Sequence, residues 1–361
     1  MTLSDISNLR LINQQITATK FKAVKDIVGW MGAMQAQDYA MAKWAIGVRL
    51  PYSTNKVIET AIDNGEIIRT HLLRPTWHFV SADDVYWLLE LTAPQIKAKL
   101  KTRHAELEFS ESLIAKSNKL IQQALKGGNH LTREELIAKL EEAKIATDNN
   151  RASHILLRAE LDGIACSGAT KGKKQTYALL TERVSKTTNL TRDEALEKIA
   201  RRYFSSHDPA TLKDFIWWSG LSVRDARNAL EMVKSDFISE KIGLEVYWFT
   251  NSFSMPKNNN SSAYLLPAFD EFIISYKDRS ASLPMKTFKK AVSENGIFRP
   301  VIVINGQVAG LWQRTLKKER VIVETNLFQP HEKSIQSLIE NEAEIFGSFL
   351  GKKTEVNHNS D

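Results

Sequence analysis

In the middle of the chain apolar residues recur at helical spacing and then give way to short unbroken runs, the pattern of helices followed by a hairpin. Thr132 and Glu135 stand three apart ahead of Leu136, Ile137 and Leu140, which predicts a capped helix start. From Arg151 to Leu161, the residues Ala152, Ile155, Leu156 and Ala159 fill one stripe of a second helix, and Gly163 supplies its stop. Two apolar runs, 164–167 and 176–180, follow with the lysine-loaded turn GATKGKKQ between them. Helix, helix, hairpin is the order of a winged helix.

The same order returns downstream. Thr191 with Glu194 predicts a helix through Phe204, Asp208-Pro209 opens a second through Trp218, and Ser222 a third ending near Val233. A hairpin of 237–240 and 244–250 turns at Lys241, Ile242 and Gly243. The N-terminal region reads alike, with helices near 4–18, 21–36, 39–49 and 55–64, strands at 66–71 and 76–80 broken at Pro75, and a helix from Ser81 through Ala93. Beyond Met255 strands dominate, with the Asn305-Gly306 pair marking a hairpin turn. The expectation is an α+β chain of tandem winged-helix domains with a C-terminal, mostly antiparallel β unit. Its parts are 1–128, 129–188 with a basic wing, 189–252, and the β-rich 253–350, followed by a disordered tail at 351–361.

Composition adds a polyanion. The 361 residues carry 49 Lys and Arg against 42 Asp and Glu, a net charge of +7, which suits nucleic acid but is shared by proteins that bind none. One cysteine, Cys166, excludes an internal disulfide framework and any thiolate cluster. The N-terminus lacks the basic-then-apolar pattern of a signal peptide, no stretch is long and apolar enough to span a membrane, and no long heptad appears, so a cytoplasmic monomer is expected. The GxGxxG, P-loop, GxSxG and HExxH motifs are all missing, which removes the usual support for dinucleotide enzymes, NTPases, serine hydrolases and zincins.

The candidate chemistry is concentrated in a few strings. Arg151 and Arg158 lie seven apart on one helix face, and Lys171, Lys173 and Lys174 crowd a flexible hairpin tip, as duplex phosphates require, although loop lysines also serve solubility alone. In HLLRPTWH, strand alternation sets Trp77 opposite Thr76 and His78, with Arg74 at the turn; two histidines without a third ligand make a poor metal site. Phe215, Trp217 and Trp218 read as core, with a stacking platform for unpaired bases as the alternative. MQAQDY places Gln35, Gln37 and Asp38 at a junction of two helices, which by itself marks little more than surface.

Taken together, MQAQD at 34–38, RPTWHFV at 74–80, ASHILLRAELDG at 152–163 with GKKQTYALL, ARRYFSSHDPATLKDFIWWSGL at 200–221 and LLPAFDEFIISYKDR at 265–279 resemble the AlkZ/YcaQ-like winged-helix DNA glycosylases over nearly the whole chain. The resemblance implies a concave basic channel for double-stranded, damaged DNA and a catalytic QxQ motif, here Gln35 and Gln37, with adjacent Asp38 in second place. It further implies hydrolysis of alkylated N7-type purines, with some crosslinks unhooked and no cofactor or metal, and phosphate contacts from Arg74, His78, Arg151, Arg158, Lys171, Lys173 and Lys174. The alternatives are a noncatalytic winged-helix regulator, told apart by a footprint on one defined sequence, and a protein-interaction module, which would show no salt-dependent duplex binding.

Overall fold

A computed structural model of the chain describes residues 1–186, 189–250 and 261–359. The expected boundaries at 188/189 and 252/253 lie at or inside residues outside that description.

The N-terminal helix α1 (Leu3–Asn13) precedes a first unit of α2 (Val24–Met31), β1 (Met34–Gln35), α3 (Tyr39–Gly47), α4 (Asn55–Asp63), β2 (Ile67–Leu72) and β3 (Thr76–Ser81). A long helix α5 (Val85–Glu106) leads to a second unit: α6 (Glu111–Leu125), β4 (Leu131–Thr132), α7 (Arg133–Glu142), α8 (Arg151–Leu161), β5 (Ala165–Ser167) and β6 (Thr176–Leu179). The short α9 (Leu180–Arg183) then connects to α10 (Arg192–Ser206), β7 (Ala210–Thr211), α11 (Leu212–Ser219), α12 (Val223–Val233), β8 (Phe237–Ile242) and β9 (Glu245–Thr250). Each unit is helix, two-residue strand, two helices and hairpin. In each, the later hairpin strand sits between the other two, giving the orders β1-β3-β2, β4-β6-β5 and β7-β9-β8. Among the described residues the helix, helix, hairpin order thus occurs three times in tandem, the order that the periodicity predicts.

Capping chemistry fixes the starts. Thr132 with Glu135 and Thr191 with Glu194 form full capping boxes at α7 and α10, and Ser222 caps α12. Thr211, rather than Asp208-Pro209, caps α11, in a capping box with Asp214.

The first unit departs from expectation at the point that matters most. The predicted helix over 21–36 stops at Met31, because Gly32 takes φ +78°, and the chain turns into β1. The expected boundary after 128 also divides the second unit, whose core joins Ile121 and Leu125 of α6 to Leu136, Leu140, Ile155 and Leu156.

The remainder comprises β10 (Ala263–Leu266), α13 (Glu271–Ile274), α14 (Met285–Ala291), β11 (Val301–Ile304), β12 (Gln307–Leu316), β13 (Arg320–Leu327), α15 (Lys333–Leu350) and β14 (Lys353–Asn359). Asn305 and Gly306, both at positive φ, make the predicted turn between β11 and β12. The stretch expected as a disordered tail forms β14 over 353–359, paired in parallel with β13 along its full length. Residues 333–350, expected in the β-rich unit, are helical, with Ile335, Ile339, Ala343 and Phe346 buried on one face.

The units are not beads on a string. One core joins Trp44 of α3 to Leu265, Trp312 and Phe346 of the C-terminal part, and another joins Leu72 and Val80 of the first hairpin to Tyr203, Phe215 and Trp218 of the third unit. Trp87 and Trp312 are core, as is Trp218; Trp248 is half-buried.

Candidate functional site

Met34 and Gln35 pair with Phe79 and His78 on β3, and the Ala36 amide donates to the Trp77 carbonyl at 2.7 Å. Gln35 is thus on a strand laid against the middle strand of the sheet, not at the end of α2, and Ala36 and Gln37 lead from it to the start of α3. Gln35 is 9% exposed and held at both ends. Its backbone N–H donates to Glu271 Oε1 at 2.6 Å, and its side-chain Oε1 accepts from Arg74 Nη2 at 3.0 Å. Because a guanidinium only donates, Arg74 decides which end of the amide is oxygen.

Glu271 arrives from α13, whose start Asp270 caps through its Oδ1. Asp270 is itself fixed by two 2.8 Å hydrogen bonds from the buried Arg49. Burial raises the Glu271 carboxyl above its ordinary value, opposed by the Ser275 hydroxyl and the Gln35 amide. Burial also pushes His207, 3.9 Å from Glu271, and His78 well below the ordinary histidine value. Both rings are neutral at physiological pH.

Gln37 is exposed, and Asp38, half-buried, is the N-cap of α3, its Oδ1 accepting from the Ala40 and Met41 amides at 3.1 and 3.0 Å.

Beside this strand a cleft of about 380 Å³ opens between the first and second units, lined by Tyr39, Arg69, Trp77, Glu160, Lys174 and Tyr177 among others. Arg69 spans the gap. Its Nε donates to the Ala36 carbonyl at 3.0 Å, its Nη1 to Gln175 of the second wing at 2.8 Å, and its guanidinium lies 4.3 Å over Trp77. Trp77 also meets its cross-strand partner His71, with ring centroids 4.5 Å apart, and the His71 Nδ1 is 2.7 Å from the buried Glu160.

Not all of the expected phosphate ligands face solvent. His78 is fully buried, its Nδ1 turned to the Thr76 carbonyl, so it cannot reach a duplex. Arg158 is buried between Glu111 and Asp162, at 3.7 and 3.6 Å. Arg151 is half-buried and bonds the Ala146 and Leu107 carbonyls over the Phe109 ring. The physical reason is common to both arginines: α8 buries every residue from Ile155 to Leu161 and packs on α5 and β2, so it cannot lie in a groove. The hairpin tip is exposed as expected, but Lys171 pairs with Glu135 at 2.6 Å and Lys174 with Glu134 at 3.5 Å, which offsets much of its charge; Lys173 makes no ion pair among the described residues.

Sequence reasoning missed Glu271, Arg69 and Glu160 as partners of the site. The string holding Glu271 was visible, but its Asp-Glu pair reads equally as strand, and only Asp270 acting as a cap shows the turn into α13.

A family model described as DNA glycosylase AlkZ-like matches residues 28–349. No curated protein matches. Among solved structures, the chain is similar to the Streptomyces sahachiroi DNA glycosylase AlkZ, with a TM-score of 0.81, 18% identity and 99% of each chain covered.

Proposed function

Since the chain belongs to the AlkZ-like DNA glycosylase family and is thus a glycosylase acting on DNA, we propose that it removes alkylated, N7-type purines by placing water with Gln35 and Gln37, and unhooks some N7-linked crosslinks. An N7-alkylated purine carries a positive charge. When the C1′–N9 bond breaks, its electron pair stays with the base, which leaves neutral and needs little help from a general acid. What remains is to hold a water against the anomeric carbon and to stabilise a cationic sugar. The water's oxygen forms the new C1′–O bond, and its proton passes to solvent.

Supporting this reading above all is the double hold on Gln35, with Arg74 donating to its side-chain oxygen and Glu271 accepting from its backbone N–H. A side chain fixed in this way has already given up the freedom that positioning would otherwise cost. Gln37, two residues on, is exposed in the turn between β1 and the Asp38 cap of α3, where its amide is open to a ligand. Asp38 uses one oxygen as a cap, which leaves its negative charge beside Gln37 to favour an oxocarbenium-like sugar. The wing lysines grip backbone phosphates, so affinity falls steeply with salt.

Release of N7-methylguanine from methylated duplex, and unhooking of an N7 crosslink, test this directly. A wild-type protein that forms no more product than the Gln35→Ala, Gln37→Ala double variant would overturn it.

A further inference from the structure

The sequence places Trp217 in the core, and its neighbour Trp218 is there, but Trp217 is 36% exposed at the C-terminal end of α11. Its indole is pinned, with Nε1 donating to the Ile274 carbonyl at 2.9 Å. Three cations crowd its ring: Lys277 at 4.9 Å, Arg279 at 5.3 Å and Arg74 at 5.8 Å from the centroid. Arg74 is the residue that holds Gln35.

None of the three cations has a carboxylate partner among the described residues. Arg74 bonds the Gln35 amide, Arg279 bonds the Ile273 and Lys277 carbonyls, and Lys277 reaches only the indole face. Nearby acids are committed elsewhere: Glu271, whose charge reaches Arg74 without an ion pair, accepts from the Gln35 backbone N–H and the Ser275 hydroxyl. Asp214 takes the backbone amides of Lys277 and Asp278 and faces Arg10, and Asp278 accepts from the Ser280 amide. Holding three cations around one ring is costly, and burial first, then Arg74, lowers the Arg279 guanidinium to about 10 against the opposing pull of Asp214 and Asp278. The fold nonetheless enforces the cluster. Gly220, at φ +68°, lets the end of α11 approach so closely that a Cβ there would lie 2.3 Å from the Leu73 carbonyl, and this contact brings Trp217 to Arg74.

We propose that Arg74, Lys277 and Arg279 around Trp217 form a clamp for one DNA backbone phosphate next to the nucleotide presented to Gln35, with the indole supporting the adjoining sugar. The inference rests on the glycosylase reading for its DNA and for the role of Gln35. It assigns this clamp a register function: it decides which nucleotide meets the glutamine, whereas the wing lysines hold duplex without regard to position.

The test uses the full chain and a duplex holding one tetrahydrofuran abasic analogue, whose binding needs no bond cleavage. Lys277→Gln, Arg279→Gln should bind it roughly tenfold more weakly, the size of a lost charge-assisted hydrogen bond, with a salt slope lower by about 1. Lys277→Gln alone, which removes no hydrogen bond that holds the fold, should show the same direction. A neutral methylphosphonate walked through the phosphates flanking the analogue should weaken the wild type at one position and leave the double variant indifferent there. Variants matching the wild type in affinity and slope, or a double variant as sensitive as the wild type at every position, would overturn the clamp. A wild type that binds as described but releases no base would instead overturn the glycosidic mechanism and leave the clamp standing.

Discussion

Gln35 and Gln37 are separated by one residue yet live in different surroundings, one buried and held by two partners, the other in solvent. Replacing both with alanine should lower turnover about a hundredfold or more, the scale on which lost positioning costs rate, while duplex affinity stays near wild type; single-turnover rates and binding isotherms on the same substrate separate the two. Asp38 can be dissected likewise. Asn is as good an N-cap as Asp, so Asp38→Asn should keep the melting temperature and reveal what the charge alone does to turnover. Asp38→Ala should lose about 1 kcal/mol of stability as well, read by denaturant titration. His78 and Arg158 teach the limit of reasoning from residue type: both are cationic candidates in the sequence, and both are buried, His78 with its Nδ1 at the Thr76 carbonyl of its own strand and Arg158 beside Asp162 at i+4.

At the scale of elements, the hairpin tip and the α11 terminus make contrasting predictions. Removing Lys171, Lys173 and Lys174 by substitution with glutamine should weaken damaged and undamaged duplex alike. Lys173→Gln should contribute as much as either neighbour, since the other two must first release Glu135 and Glu134. Filter binding across a salt series reads this as a slope that falls by about 1 for each phosphate no longer neutralised. Gly220→Ala acts on architecture instead. Its Cβ would collide with the Leu73 carbonyl, and its φ is positive, so it should cost roughly 1 to 3 kcal/mol in chemical denaturation. The elements that the sequence disclosed were those with local signals: capping boxes, Gly stops and an Asn-Gly turn. Those it concealed depend on distant partners. β1 is two residues long and exists because β3 accepts it; β14 reads as polar tail because an edge strand facing water on one side has little apolar pattern to show. The helix α15 was legible in its Ile335, Ile339, Ala343 and Phe346 spacing, but the strands before it invited the same assignment.

The whole molecule carries opposing titrations among groups that folding withdraws from water. Burial raises Asp208 to about 7 and Glu342 to about 7, so each takes up a proton on folding between its unfolded value near 4 and about pH 7, and stability falls as pH rises through that window. His78 and His207 work the other way. Their folded values lie well below 6.5, so stability falls as pH drops below 6.5. The two trends offset one another between about pH 4.5 and 6.5, leaving a maximum whose alkaline side belongs to the acids. Glu342→Gln should therefore stabilise the protein more at pH 8 than at pH 5, as thermal melts at the two values will show. As for what the sequence disclosed at this scale, three winged helices were readable from order alone. The arrangement that sets Glu271 of the C-terminal part against Gln35 of the first unit was not, since no local pattern encodes a contact across 236 positions.

The closing strand β14 also bears on how the protein can be handled and how it ages. It covers β13, whose alternate residues Val321 and Val323 belong to the core shared with α3. Proteolytic clipping after Gly351, at the turn between α15 and β14, would strip seven pairs from that sheet and leave an eight-residue strand with the amides and carbonyls of one side bare. Such a raw border recruits another chain as readily as its own. The clipped protein should therefore self-associate at concentrations where the intact chain stays dispersed, and the loss of a segment remote from the glutamines would be felt first as turbidity and only afterwards as lost repair.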